Sequence, residues 1–227
     1  MQSKKEIEAL ERLVETVRRL RAPDGCPWDR EQTHDSLARY LIEETYEVLE
    51  AIEGQNATDL REELGDLLLQ VLLHAEIARE EGAFDIGDVA EDENDKMVRR
   101  HPHVFGDASA EKTLAAWEQT KSAEKKRNTL RERLDSVPRA LPSLLRAQKL
   151  LDKCEGILPV DTLVPTKLKD GILTASAVRT APDAEGRARA AGEFFLAAVE
   201  VFRHEGIDCE AALSLACQGI LEKSAEV

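Results

Sequence analysis

Residues 35–82, DSLARYLIEETYEVLEAIEGQNATDLREELGDLLLQVLLHAEIAREEG, read as two helices joined by a short turn. In the first, Leu37, Leu41, Val48 and Ile52 recur at helical spacing, with Glu43, Glu44 and Glu47 among them. Residues three and four apart share one helix face, so Glu44 or Glu43 can converge with Glu47. In the second, Thr58 is the expected N-cap, and Leu60, Leu64, Leu67, Leu68, Val71 and Leu72 form the apolar stripe. Glu63 and Asp66 fall inside that stripe, again three apart. The loop Gly54-Gln55-Asn56-Ala57 is short enough to fold the helices antiparallel, bringing the two acid pairs face to face.

Several unpaired carboxylates beside a dry leucine-rich core lose heavily in solvation unless they protonate or meet a cation. Oxygen donors with no His or Cys in the pattern suit a hard divalent ion, Mg²⁺ or Mn²⁺. EExxE alone also fits an ordinary solvated helix face. An ExxD within a leucine run fits that reading less well, because Asp is a poor helix former and rarely lies among apolar neighbours.

Outward from this stretch, composition sets the class. The 227 residues allow one large or two small domains, and 33% charged, 4% aromatic and only 8 Pro favour an all-α protein. A formal charge of -14 argues against a nucleic-acid polymer as partner, which needs a broad basic face. Cys26, Cys154, Cys209 and Cys217 lack CxxC spacing and are expected to be reduced. With neither a signal peptide nor a run long enough to span a membrane, the expected location is cytoplasmic.

Residues 4–21 form an amphipathic helix carrying Ile7, Leu10, Leu13, Val14, Val17 and Leu20, broken by the turn Pro23-Asp24-Gly25-Cys26-Pro27. Trp28 is expected to plug the core, and Asp35 or Thr33 to cap the next helix. Glu31 and His34 make one ExxH; carboxylate-bridged di-iron bundles need two. Residues 87–100 form a helix with Lys96, Arg99 and Arg100 on one face, suited to phosphate oxygens as well as to a helix C-terminus. His101 and His103 flank a proline and read as structural. A helix over 109–126 carries Trp117 and Lys121 one turn apart, able to stack a base and hold a phosphate. After a proline-bearing connector at 128–142, residues 189–223 echo 62–96, with Gly192 over Gly65 and Ala190 where Glu63 stands.

CPWD at 26–29, EETYE at 43–47, EELGD at 62–66, DKMVRRHPHVFGD at 95–107 and WEQTK at 117–121 together resemble the MazG family of nucleoside triphosphate pyrophosphohydrolases. The resemblance covers roughly residues 7–126, and LPSLLRAQKL at 141–150 resembles the link between tandem MazG domains. It implies an all-α fold completed as a four-helix bundle in a homodimer, and Mg²⁺-dependent hydrolysis of NTP or dNTP to monophosphate and pyrophosphate. Carried over, Glu44, Glu47, Glu63 and Asp66 match the metal-binding positions. Lys96, Arg100, Trp117 and Lys121 match positions that support the nucleotide, with Arg99 added by proximity. Glu43 or Glu47 would serve as general base. The expected domains are 1–127, catalytic; 128–142, connector; and 143–227, a degenerate second MazG-like unit. Two features depart from the family pattern, the acidic EDEND before Lys96 and the shortened second half. A weakly active nucleotide sensor of the same fold and a di-iron oxidase are the alternatives; the missing second ExxH counts against the latter.

Overall fold

The computed structural model describes residues 2–106, 129–158 and 180–224, and among these every regular element is a helix. The chain divides into two compact units, Met1–Trp117 and Glu118–Val227.

The first unit contains α1 (Gln2–Arg21), α2 (Pro27–Glu31), α3 (His34–Glu53), α4 (Ala57–Glu80), α5 (Ile86–Arg100) and α6 (Pro102–Phe105). Thr33 caps α3 in a capping box: its Oγ1 accepts from the Ser36 N–H, and Ser36 Oγ accepts from the Thr33 N–H. The cap of α4 is Asn56 rather than Thr58, because the Asn56 Oδ1 accepts from the Thr58 N–H at 2.9 Å. The turn also departs from the usual glycine solution. Gly54 is right-handed, and Gln55 takes the left-handed conformation at φ 52°.

The α3–α4 hairpin is the spine of the unit, and α1 packs on α4. Their core joins Val17, Leu37, Leu72, Leu73 and Ile77, flanked by Leu13, Val14, Tyr40, Leu68, Leu69 and Ile86. Fully burying each large side chain contributes about 1.5–3 kcal/mol. Arg21 fastens the connection before α3: its guanidinium grips both Glu80 oxygens at 3.0 and 2.8 Å and donates to the Asp29 and Gln32 carbonyls. At the turn after α1, a Cβ on Gly25 would lie 2.2 Å from the Leu20 carbonyl oxygen, so only glycine fits. Trp28 is not the expected core plug. It is 50% exposed and meets Tyr40 edge-on at 6.0 Å.

The second unit contains α7 (Leu130–Asp135), α8 (Ser143–Cys154), α9 (Ala184–His204) and α10 (Cys209–Ser224). Its core joins Leu151, Ala197, Val199 and Cys209. The end of α9 repeats the end of α4 in detail. Buried Glu76 pairs with Arg79, and buried Glu200 with Arg203. Glu81 and Glu205 are the C-caps, and Gly82 and Gly206 follow in the left-handed region at φ 72° and 71°. This register differs by three residues from the one that lays Gly192 over Gly65. Both of those glycines are mid-helix with nothing within 4 Å of where a Cβ would lie, so neither fixes an alignment. In the structural register Arg187 stands in place of Glu63 and Ala190 in place of Asp66.

Candidate metal centre

Because α3 and α4 fold back on each other through a short turn, Glu44 comes level with Glu63 and Asp66. One carboxylate oxygen from each lies within 4.8 Å of the others, and all three groups are half-buried. Burial raises the Glu44 carboxyl above its ordinary range, and so do its hydrogen bond to Glu47 and the charges of Asp66, Glu47 and Glu63. Glu63 is raised as well, first by burial and then by the charges of Glu47 and Asp66, with smaller effects from Glu62 and Asp59. Three convergent oxygen donors, with the charged forms of Glu44 and Glu63 disfavoured, suit a hard divalent cation, which would relieve the repulsion they suffer alone.

The remaining predicted residues are less uniform. Glu47 is exposed at the edge of the trio, tied to it through Glu44. Glu43 is exposed one turn after Arg39 and acts electrostatically on that guanidinium instead. Lys96 is half-buried and ion-paired with Glu93 on its own helix. Arg99 is exposed, whereas Arg100 is buried at 8% exposure, so the three cations of α5 do not share one environment. Trp117 and Lys121 lie outside the described residues. The Nδ1 of His101 lies 2.7 Å from the Met97 carbonyl oxygen, one turn back on α5.

Sequence reading passed over Gln70, one turn beyond Asp66. It is 6% exposed, and its Oε1 has no hydrogen-bond partner among the described residues. The available signal was a lone amide inside a leucine run. Asp59 and Glu62 were also missed as contributors to the field at Glu63, although their place on the same helix could be read.

A family model described as the MazG nucleotide pyrophosphohydrolase domain matches residues 32–105, which contain the whole trio. A nucleoside triphosphate pyrophosphohydrolase of Escherichia coli K12 is 42% identical over 227 residues, covering 96% of this chain and 86% of that protein. The chain belongs to the MazG family. A nucleoside triphosphate pyrophosphohydrolase/pyrophosphatase MazG of Thermotoga maritima is 39% identical over 214 residues, covering 94% and 83% of the two chains. YabN of Bacillus subtilis, an uncharacterized protein, is 55% identical over 138 residues, 59% of this chain and 28% of its own. Membership of the MazG family agrees with the all-α architecture. No helix among the described residues is long and apolar enough to cross a membrane.

Proposed function

We propose that this chain hydrolyses nucleoside triphosphates, NTP or dNTP, to monophosphate and pyrophosphate in the cytoplasm, using Mg²⁺ or Mn²⁺ held by Glu44, Glu63 and Asp66 with Glu47 at the margin. The observation that carries this reading is the convergence of the three carboxylates within 4.8 Å. It is joined by the activity for which the relatives from Escherichia coli and Thermotoga maritima are named. A triphosphate and a carboxylate cluster are both anionic and repel. When bound, the divalent ion supplies the charge that joins them and acidifies water at the site. Glu47 is favoured as general base over Glu43, because its charge acts on both Glu44 and Glu63, whereas Glu43 sits beside Arg39. Water deprotonated there attacks the α-phosphorus, the α–β anhydride breaks, and pyrophosphate leaves with its charge offset by cations. Lys96, Arg99, Arg100, Trp117 and Lys121 are proposed to bind the nucleotide.

Residues 143–227 are proposed as a second MazG-like unit that kept its packing and lost its site. Arg187 would set a cation where the first copy has Glu63, and Ala190 removes the second acid.

Product analysis tests the activity. Incubation with mixed NTPs and dNTPs should yield monophosphate and pyrophosphate, and only with divalent metal. Diphosphate plus phosphate would place the attack elsewhere, and bound nucleotide without turnover would replace this reading with a sensor.

The hairpin leaves an apolar stripe uncovered: Ile42, Tyr46, Leu49 and Ile52 on α3, with Leu64 and Val71 on α4, are exposed. A second copy covering it would complete a four-helix bundle. Glutamate at both Tyr46 and Leu49 is therefore expected to halve the mass measured by light scattering. An unchanged mass would put the interface elsewhere.

A further inference from the structure

The turn at Gly54 closes one end of the α3–α4 hairpin, and a pair of imidazoles closes the other. His34 and His74 stand twenty residues to either side of Gly54. Their Nδ1 atoms are 2.7 Å apart, and the rings are parallel to 4° with centroids separated by 5.0 Å. A hydrogen bond between two imidazole nitrogens requires one donor and one acceptor. The second nitrogen of His74, Nε2, is buried without a partner among the described residues. An orphaned buried N–H is the rarer defect, so the geometry favours the proton of His74 on Nδ1, donating to His34 Nδ1. His34 then carries its own proton on Nε2.

A further proton has no good place in this arrangement. On His74 it would occupy Nε2, shut from water with no acceptor. On His34 it would occupy Nδ1 and set two N–H groups against each other. Burial, and secondarily the charge of His34, hold His74 below the ordinary imidazole range. The other charged groups on the surrounding elements do not offset this. Arg21 of α1 is taken up by Glu80 and two carbonyls, and Glu31 of α2 and Asp35 of α3 are exposed. One turn either side of His74, α4 carries Gln70, Val71, Ile77 and Ala78, none of which titrates.

We propose that the His34–His74 pair is an acid-sensitive latch: neutral, it fastens the first turn of α3 to α4, and protonated, it frees that turn and the segment leading into it. The segment includes Trp28, whose edge-on contact with Tyr40 makes it a reporter of the same event. A histidine with a lowered folded-state value stabilises the fold above the unfolded value of about 6.5, and that stability is lost as pH falls below it. The inference is independent of the reaction proposed above.

Hydrogen exchange of the metal-free full chain tests it. Between about pH 7.5 and 5.5, after correction for intrinsic rates, protection of residues 27–40 should fall severalfold. In the variant carrying His34→Asn and His74→Asn, whose amides can keep a hydrogen bond without titrating, protection should stay level. Unchanged wild-type protection, or the same loss in the variant, would overturn the latch. Nitrogen NMR of the wild-type protein gives a check that needs no variant. His74 should be the Nδ1–H tautomer at about pH 7.5, and two Nε2–H tautomers or independent ordinary titrations of the two rings would count against it.

Discussion

Glutamine in place of Glu63 is expected to lower kcat/KM by about 10²–10³-fold, the scale of losing one preorganised electrostatic contact, while raising the melting temperature of the metal-free protein. The two effects have opposite signs for one reason. Glu63 is half-buried with a carboxylate oxygen within 4.8 Å of oxygens from Glu44 and Asp66, and burial followed by the charges of Glu47 and Asp66 disfavours its ionised form. The amide keeps the shape, removes the repulsion and forfeits a hard anionic ligand. A residue that merely packs would behave differently, since its replacement lowers stability and touches turnover only through misfolding. Steady-state kinetics and a thermal melt on the same preparation decide between them. Turnover near the wild-type level would remove Glu63 from the metal centre and leave the trio without its proposed role.

Much of this arrangement could be read in one dimension. Helical spacing was sufficient to pair Glu63 with Asp66 and to set both opposite the acids of the EExxE run, because a short turn folds the two helices antiparallel. Spacing could not separate Glu43 from Glu44. The two differ by about 100° around the helix, and only the packing of α3 decides which one faces α4. The same limit applies to Lys96, Arg99 and Arg100, where sequence suggests one basic face and the fold buries Arg100 while exposing Arg99. Trp28 misled for a related reason. A large aromatic beside prolines reads as core, but the clamp of Arg21 on the Asp29 and Gln32 carbonyls fixes the loop with its backbone inward and the indole half out. The His34–His74 contact joins residues forty apart in sequence and leaves no local pattern at all.

Chelation of divalent metal is expected to abolish turnover, and Mg²⁺ to restore it together with a rise in melting temperature that disappears on acidification. At a concentration of 100 Kd, a ligand that binds only the folded state stabilises it by about 2.7 kcal/mol. The pH dependence follows from the raised carboxyls of Glu44 and Glu63. A carboxyl raised on folding contributes stability present below its unfolded value of about 4.3, and that contribution is lost as pH rises through the folded value. The metal-free site is therefore most strained where Glu44 and Glu63 are both ionised, which is also where a cation relieves it most. Protons and Mg²⁺ compete for the same oxygens, so the Mg²⁺-induced shift should shrink toward mildly acidic pH and be much reduced by Glu63→Gln at every pH. The imidazole latch works in the opposite sense, weakening the hairpin as pH falls. Measuring melts in the protein with His34→Asn and His74→Asn separates the two, because the carboxylate contribution survives there alone. A melting temperature indifferent to Mg²⁺ at neutral pH would mean that Glu44, Glu63 and Asp66 tolerate their mutual charge without an ion, and the case for a metal centre would fall with it.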